Sequence, residues 1–102
     1  MVYVVQESTG KNVLPARRFG ELETLLPPFQ QIQLDSSGVV GTCGEKLRNY
    51  CDGDHILAIG DPVAIAIAAA TASNANAGRF SILKWDRQEQ TYFPVAVDLG
   101  AA

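Results

Sequence analysis

The sequence predicts a small α/β domain with a mixed sheet, and three stretches carry that prediction. Residues 55–59 (His-Ile-Leu-Ala-Ile) form a short, nearly continuous apolar run, the pattern of a strand buried on both faces. Asp61-Pro62 then opens an alanine-rich stretch to Ala77, with Asp as N-cap and Pro at the first helical position. Residues 80–85 and 92–99 are rich in β-branched and aromatic side chains, and polar residues 86–90 join them as a hairpin.

The remaining elements follow in order. Val2–Gln6 is β-branched and aromatic and reads as a strand. Residues 8–18, with Gly10, Asn12 and Pro15, read as loop. Residues 20–26 alternate well enough for a second strand, which Pro27-Pro28 stops because proline lacks the ladder donor. Gln31-Ile32-Gln33-Leu34 alternates polar and apolar and predicts a third. Thr42-Cys43-Gly44-Glu45 matches a capping box, so a first helix is expected from Thr42, with Cys43, Leu47, Tyr50 and Cys51 as its apolar stripe and Gly53 as its end. The expected order is β-β-β-α-β-α-β-β over a single domain, residues 1–102. It has one right-handed β-α-β unit (strand 55–59, helix 62–77, strand 80–85) and a C-terminal hairpin.

Hydrophobic residues make up 47% of the chain and charged residues 19%, a mix that suits a folded globule and excludes a largely disordered chain. The net charge of −3 is dispersed: neutral over residues 1–34, two negative over 35–54 and one negative over the rest. No segment is basic enough for sequence-independent DNA binding, so nucleic acid is disfavoured as a partner. The opening residues lack the basic and apolar regions of a signal peptide, and Gly60, Asp61 and Pro62 interrupt the most apolar stretch, which argues against a membrane span. Cys43 and Cys51, on one helix, would lie about 12 Å apart along the axis, too far for a disulfide. Free thiols suit a cytoplasmic setting.

Candidate chemistry is sparse. Gly38, Gly41 and Gly44 fall where a phosphate loop could sit, with Lys46 nearby, but their spacing matches neither dinucleotide nor P-loop fingerprint. Gly60 and Asp61 stand at the carboxyl end of the central strand, where open α/β sheets place ligands, although a helix start needs Asp-Pro with no ligand at all. Cys51, Asp52, Asp54 and His55 cluster without any metal-site spacing, so no metal and no cofactor is expected. A lone His55 would have to serve every serine or threonine, and no triad can be argued. Arg79, Trp85, Asp86 and Arg87 belong to the densest polar-aromatic cluster, a composition enriched at binding hot spots. Lys11, Arg17 and Arg18 could meet phosphate, but Glu7, Glu21 and Glu23 surround them.

The second half also resembles a known family. Residues 56–62 (Ile-Leu-Ala-Ile-Gly-Asp-Pro), 78–87 (Gly-Arg-Phe-Ser-Ile-Leu-Lys-Trp-Asp-Arg) and 92–99 (Tyr-Phe-Pro-Val-Ala-Val-Asp-Leu), with the opening strand, are similar to a family of small proteins of tailed bacteriophages that has no assigned activity. The resemblance implies a protein made in an infected bacterial cytoplasm and carries over no catalytic residue. Together these readings predict a non-enzymatic accessory module that binds a host or phage protein through Arg79, Trp85, Asp86 and Arg87. The alanine-rich helix, apolar on two sides, adds the expectation of a homodimer. The competing expectation is a small nucleotide- or anion-binding protein, possibly an enzyme, using Gly60, Asp61 and the Gly38–Lys46 loop.

Overall fold

In the computed structural model, residues 1–8 and 10–100 are described. The elements are β1 (Val2–Gln6), β2 (Leu22–Leu26), α1 (Ser36–Lys46), β3 (His55–Leu57), α2 (Pro62–Ala75), β4 (Arg79–Asp86) and β5 (Thr91–Asp98), with 3-10 turns at Leu14–Phe19 and Ile32–Leu34. They build one five-stranded sheet in the order β2-β1-β3-β4-β5. Strands β1 to β4 run parallel and β5 returns antiparallel along the whole of β4, from Arg79↔Asp98 to Asp86↔Thr91. The predicted α/β class, mixed sheet and C-terminal hairpin are all present.

The two faces of the sheet are covered differently. Tyr3, Val5 and Ile56 point to the side where α1 and α2 contribute Val39, Cys43, Ala64, Ala68 and Ala72, joined by Leu47 just past the end of α1. Val2, Val4 and Leu57 point to the other side, against Ala16 and Phe19 of the first 3-10 turn. The chain therefore moves from β1 outward to β2 with its connection on one face. It moves from β2 to β3 and from β3 to β4 in the opposite direction with helices on the other face. These moves share one hand, and the right-handed crossover is the rule for parallel strands.

Three local predictions need correction. Gln31–Leu34 is not a strand: Ile32–Leu34 is a 3-10 turn in which only Ile32 is buried. Its alternation reflects one anchored side chain rather than a pleat. The first helix begins at Ser36, not Thr42, because the Asp35 carboxylate accepts from the Gly38 amide at 3.1 Å and caps it. Gly38, Gly41 and Gly44 are consequently helical. The helix ends at Lys46, well before Gly53, leaving Leu47 and Tyr50 buried beyond it. Residues 8–18, expected as loop, contain most of the 3-10 turn that covers one face.

Helix α2 behaves as its composition suggests. Asp61 Oδ1 accepts from the Val63 amide at 2.8 Å, and Ala64, Ala68 and Ala72 are fully buried at four-residue spacing. Small side chains on that stripe let the helix lie close to the sheet, while Ile65 and Ile67 pack along its flanks.

Candidate functional site

In an open α/β sheet the crevice for a ligand lies at the carboxyl ends of the strands, where connections leave in opposite directions. Here that point falls between β1 and β3, and Gln6 fills it. Gln6 is the only buried polar residue among the described residues, at 5% exposure. Its Nε2 donates to the carbonyls of Pro27 (3.1 Å) and Gln30 (3.0 Å), and its Oε1 accepts from the Asp61 amide at 3.0 Å. Its own amide donates to the Ile59 carbonyl at 3.0 Å. Gly60 sits against it with φ +118°, and a Cβ at Gly60 would overlap the Cβ of Gln6.

Lys46 does not join Gly60 and Asp61 in a common site. Its Nζ donates to the carbonyls of Thr24 (3.1 Å) and Leu25 (3.3 Å), tying the end of α1 to β2. Asp61 directs its carboxylate to the helix start, and the glycines of residues 38–44 lie inside α1, so no anion loop is formed there.

An open space lies one strand further along. β3 pairs with β4 only at Ile56↔Ile82 and Leu57↔Leu83, after which Ala58–Gly60 turn toward β1 while β4 continues to Asp86. The strands part and leave a cleft of about 610 Å³, bordered by Lys11, Ile59, Gly60, Lys84, Trp85 and Tyr92 among others. Trp85 packs edge-on against Tyr92, ring centroids 4.9 Å apart at 69°, and the Tyr92 hydroxyl donates to the Asn12 carbonyl at 3.4 Å. Trp85 remains 38% exposed. The cleft therefore brings together Gly60 and Trp85, which the sequence assigns to two different candidate sites.

The Arg79–Arg87 cluster divides along β4. Asp86 Oδ1 accepts from the amides of Gln88 (2.9 Å) and Glu89 (3.3 Å), and the Arg87 carbonyl accepts from Gln90 Nε2 at 2.6 Å, so both residues shape the hairpin turn beside Trp85. Arg79 stands six residues away, about 20 Å along an extended strand. Its Nε lies 3.2 Å from Asp52 Oδ1, which also accepts from Asn76 Nδ2 at 2.8 Å. The hydrogen bonds from Asn76 and Arg79, and the guanidinium charge, hold the Asp52 carboxyl below its usual range. The sequence groups Lys11 with Arg17 and Arg18, but Arg18 donates to the Tyr92 carbonyl at 3.3 Å and lies over the Phe19 ring, whereas Lys11 faces the cleft.

The cysteine–histidine stretch also separates. Cys43 is buried in α1, and burial raises its thiol pKa. Cys51 is exposed, its Sγ 3.5 Å from Asp54 Oδ2, and that hydrogen bond pushes its thiol up. His55 turns instead to Ser81, with Nδ1 2.7 Å from Oγ, and packs edge-on against Phe19 at 5.5 Å. Serine and histidine at that distance could form a nucleophile–base pair, yet no third side chain orients the ring among the described residues, and neither residue borders the cleft. Among the described residues no group of three or more His, Cys, Asp or Glu is arranged to hold a metal.

His55 carries a pH prediction. Burial, then the N-terminal ammonium, lowers its pKa below the ordinary 6.5, with Asp54 opposing. The folded state thus prefers the neutral ring. That stabilisation is complete above 6.5 and is lost as pH falls from there through the depressed folded value. Urea midpoints measured from pH 7.5 to 5 should decline more steeply for the native protein than for His55→Gln; parallel curves would contradict the assignment.

Sequence reasoning missed Gln6 and Tyr92. Gln6 carried a readable signal, a polar residue closing an otherwise apolar strand, but its three partners come from segments far apart in sequence.

The fold and cleft describe a small mixed-sheet α/β protein with one open cleft at the carboxyl edge of its sheet. The family model for Phage Pam3 gp32-like protein matches residues 1–99, and the chain belongs to that family. The bacteriophage resemblance, drawn from the second half and the first strand, thus extends over nearly the whole chain. No curated protein and no solved structure matches it. No helix among the described residues is long and apolar enough to cross a membrane.

Proposed function

We infer that this phage protein is a non-enzymatic accessory module of the infected bacterial cytoplasm that forms a homodimer and engages a host or phage protein. The observation that carries the dimer is the uncovered half of the sheet. The main helix packing goes to β2, β1 and β4. By register, Phe80, Ile82 and Lys84 share a face with Val97, Val95 and Phe93, and Phe80 and Ile82 pack into the helix-side core. Phe93 and Val95 extend that apolar face beyond the helices with 38% and 39% of their surface exposed. Lys84 is the only charge among the six. Pro94 lacks the amide an added strand would need, which favours packing by faces over strand addition at the β5 edge.

A second copy suits such a face because a two-fold interface joins one patch to itself, and five of the six side chains are apolar, with Lys84 the single charge on each copy. The Trp85–Asp86–Arg87 end of the hairpin then stays available for the protein partner. Sedimentation velocity is the test. The native chain is expected to sediment as a dimer, and Val95→Glu as a monomer with unchanged circular dichroism. A native chain that remains monomeric as concentration is raised would refute the dimer.

A further inference from the structure

We propose that the cleft between β3 and β4 binds a nucleoside monophosphate, an aromatic ring joined to a phosphate. Its volume of about 610 Å³ lies within the range of small-molecule sites. It opens at the carboxyl edge of the parallel strands, displaced by one strand from the switch point because Gln6 occupies the latter.

The charge of the cleft departs from that of the chain. The protein carries −3 overall, yet no carboxylate borders the cleft, and Lys11 and Lys84 do. Neither lysine makes a side-chain hydrogen bond or ion pair among the described residues. The two lysines border one opening from different sides, Lys84 projecting from the face of β4 opposite Trp85, and together they raise the positive potential there and match a phosphate dianion. The apolar wall supplies the second half of the recognition. Trp85 and Tyr92 meet edge to face, so part of the indole stays open for a ring to stack upon, with Ile59 and Leu83 behind it. Beyond Leu83 the inner edge of β4 has no ladder partner, so backbone donors and acceptors line the same opening and can orient a polar base.

Trp85 is the chain's single tryptophan and reports directly on the site. Its fluorescence should be titrated with AMP and CMP, and in separate arms with adenosine and with inorganic phosphate. Saturable quenching by a monophosphate, at least about tenfold tighter than by adenosine or phosphate alone, is the expected result. Lys11→Gln and Lys84→Gln should each weaken it by about tenfold while the thermal midpoint stays unchanged, since both lysines are exposed. No saturable change with either monophosphate would overturn the proposal. So would adenosine or phosphate alone binding as tightly as the monophosphate, or native affinity in both lysine variants.

Discussion

Replacing Gln6 with leucine is expected to lower stability by about 3–5 kcal/mol, a large share of the roughly 5–15 kcal/mol of a typical domain. Leucine is close in size, so the loss arises from hydrogen bonding and not from a cavity. The native amide satisfies two carbonyls, Pro27 and Gln30, and one amide, Asp61, in a place nearly closed to water. Each bond is worth about 1 kcal/mol net, and each partner left buried without water costs a further 1–3 kcal/mol. Urea unfolding should show a lower midpoint with an unchanged slope, because the surface exposed on unfolding is the same. Gln6→Glu should also destabilise, since it keeps the acceptor for Asp61 but removes both donors and places a carboxyl beside two carbonyls. A loss below about 1 kcal/mol in the leucine variant would mean that water reaches these groups, and that the crevice between β1 and β3 is open.

The same residue explains what the sequence could and could not tell. Strands, helix α2 and the hairpin were legible because their signals are local: β-branched runs, Asp61-Pro62, and a polar turn between two apolar runs. The start of α1 was misread because two cap signals compete seven residues apart. Asp35 and Thr42 both have the side chain for the role, and the two helical glycines in between, Gly38 and Gly41, look like loop. Only tertiary packing, which buries Val39 and Cys43 together, decides for Asp35. The carboxyl-edge location of a site was legible from the β-α-β pattern, and Gly60 and Trp85 were both singled out. That they border one cleft was not legible, since it depends on how far β3 stays paired with β4 before turning away. The joining of Lys11 to that cleft depends on a contact between residues 12 and 92, a separation no local pattern encodes. The uncovered β5 face was hidden for a similar reason: alternation gives two apolar sides, and only the placement of α2 shows which is left bare.

Ala68→Leu is expected to destabilise by about 3 kcal/mol, at the upper end for added methylene groups in a packed core. Ala64, Ala68 and Ala72 are all fully buried on the stripe of α2 that meets the sheet, so a larger side chain in the middle has no neighbouring gap to enter. The helix must lift or tilt, loosening Ile65 and Ile67 on its flanks as well. For a chain of this length the thermal midpoint should fall by more than about 12 °C. Ala66→Leu is the control. It lies on the exposed side of the same helix, alanine and leucine have similar helix propensity, and the change should stay within about 0.5 kcal/mol. The contrast also bears on function, because the seat of α2 fixes two features at once. Its first turn hangs from Asp61, whose amide is held by Gln6, and its flank borders the sheet beside β5. A lifted helix should therefore disturb both the mouth of the cleft near Gly60 and the bare apolar face. Equal stability of the two leucine variants would instead show that the alanine stripe is loosely packed, and that neither feature is set by the position of this helix.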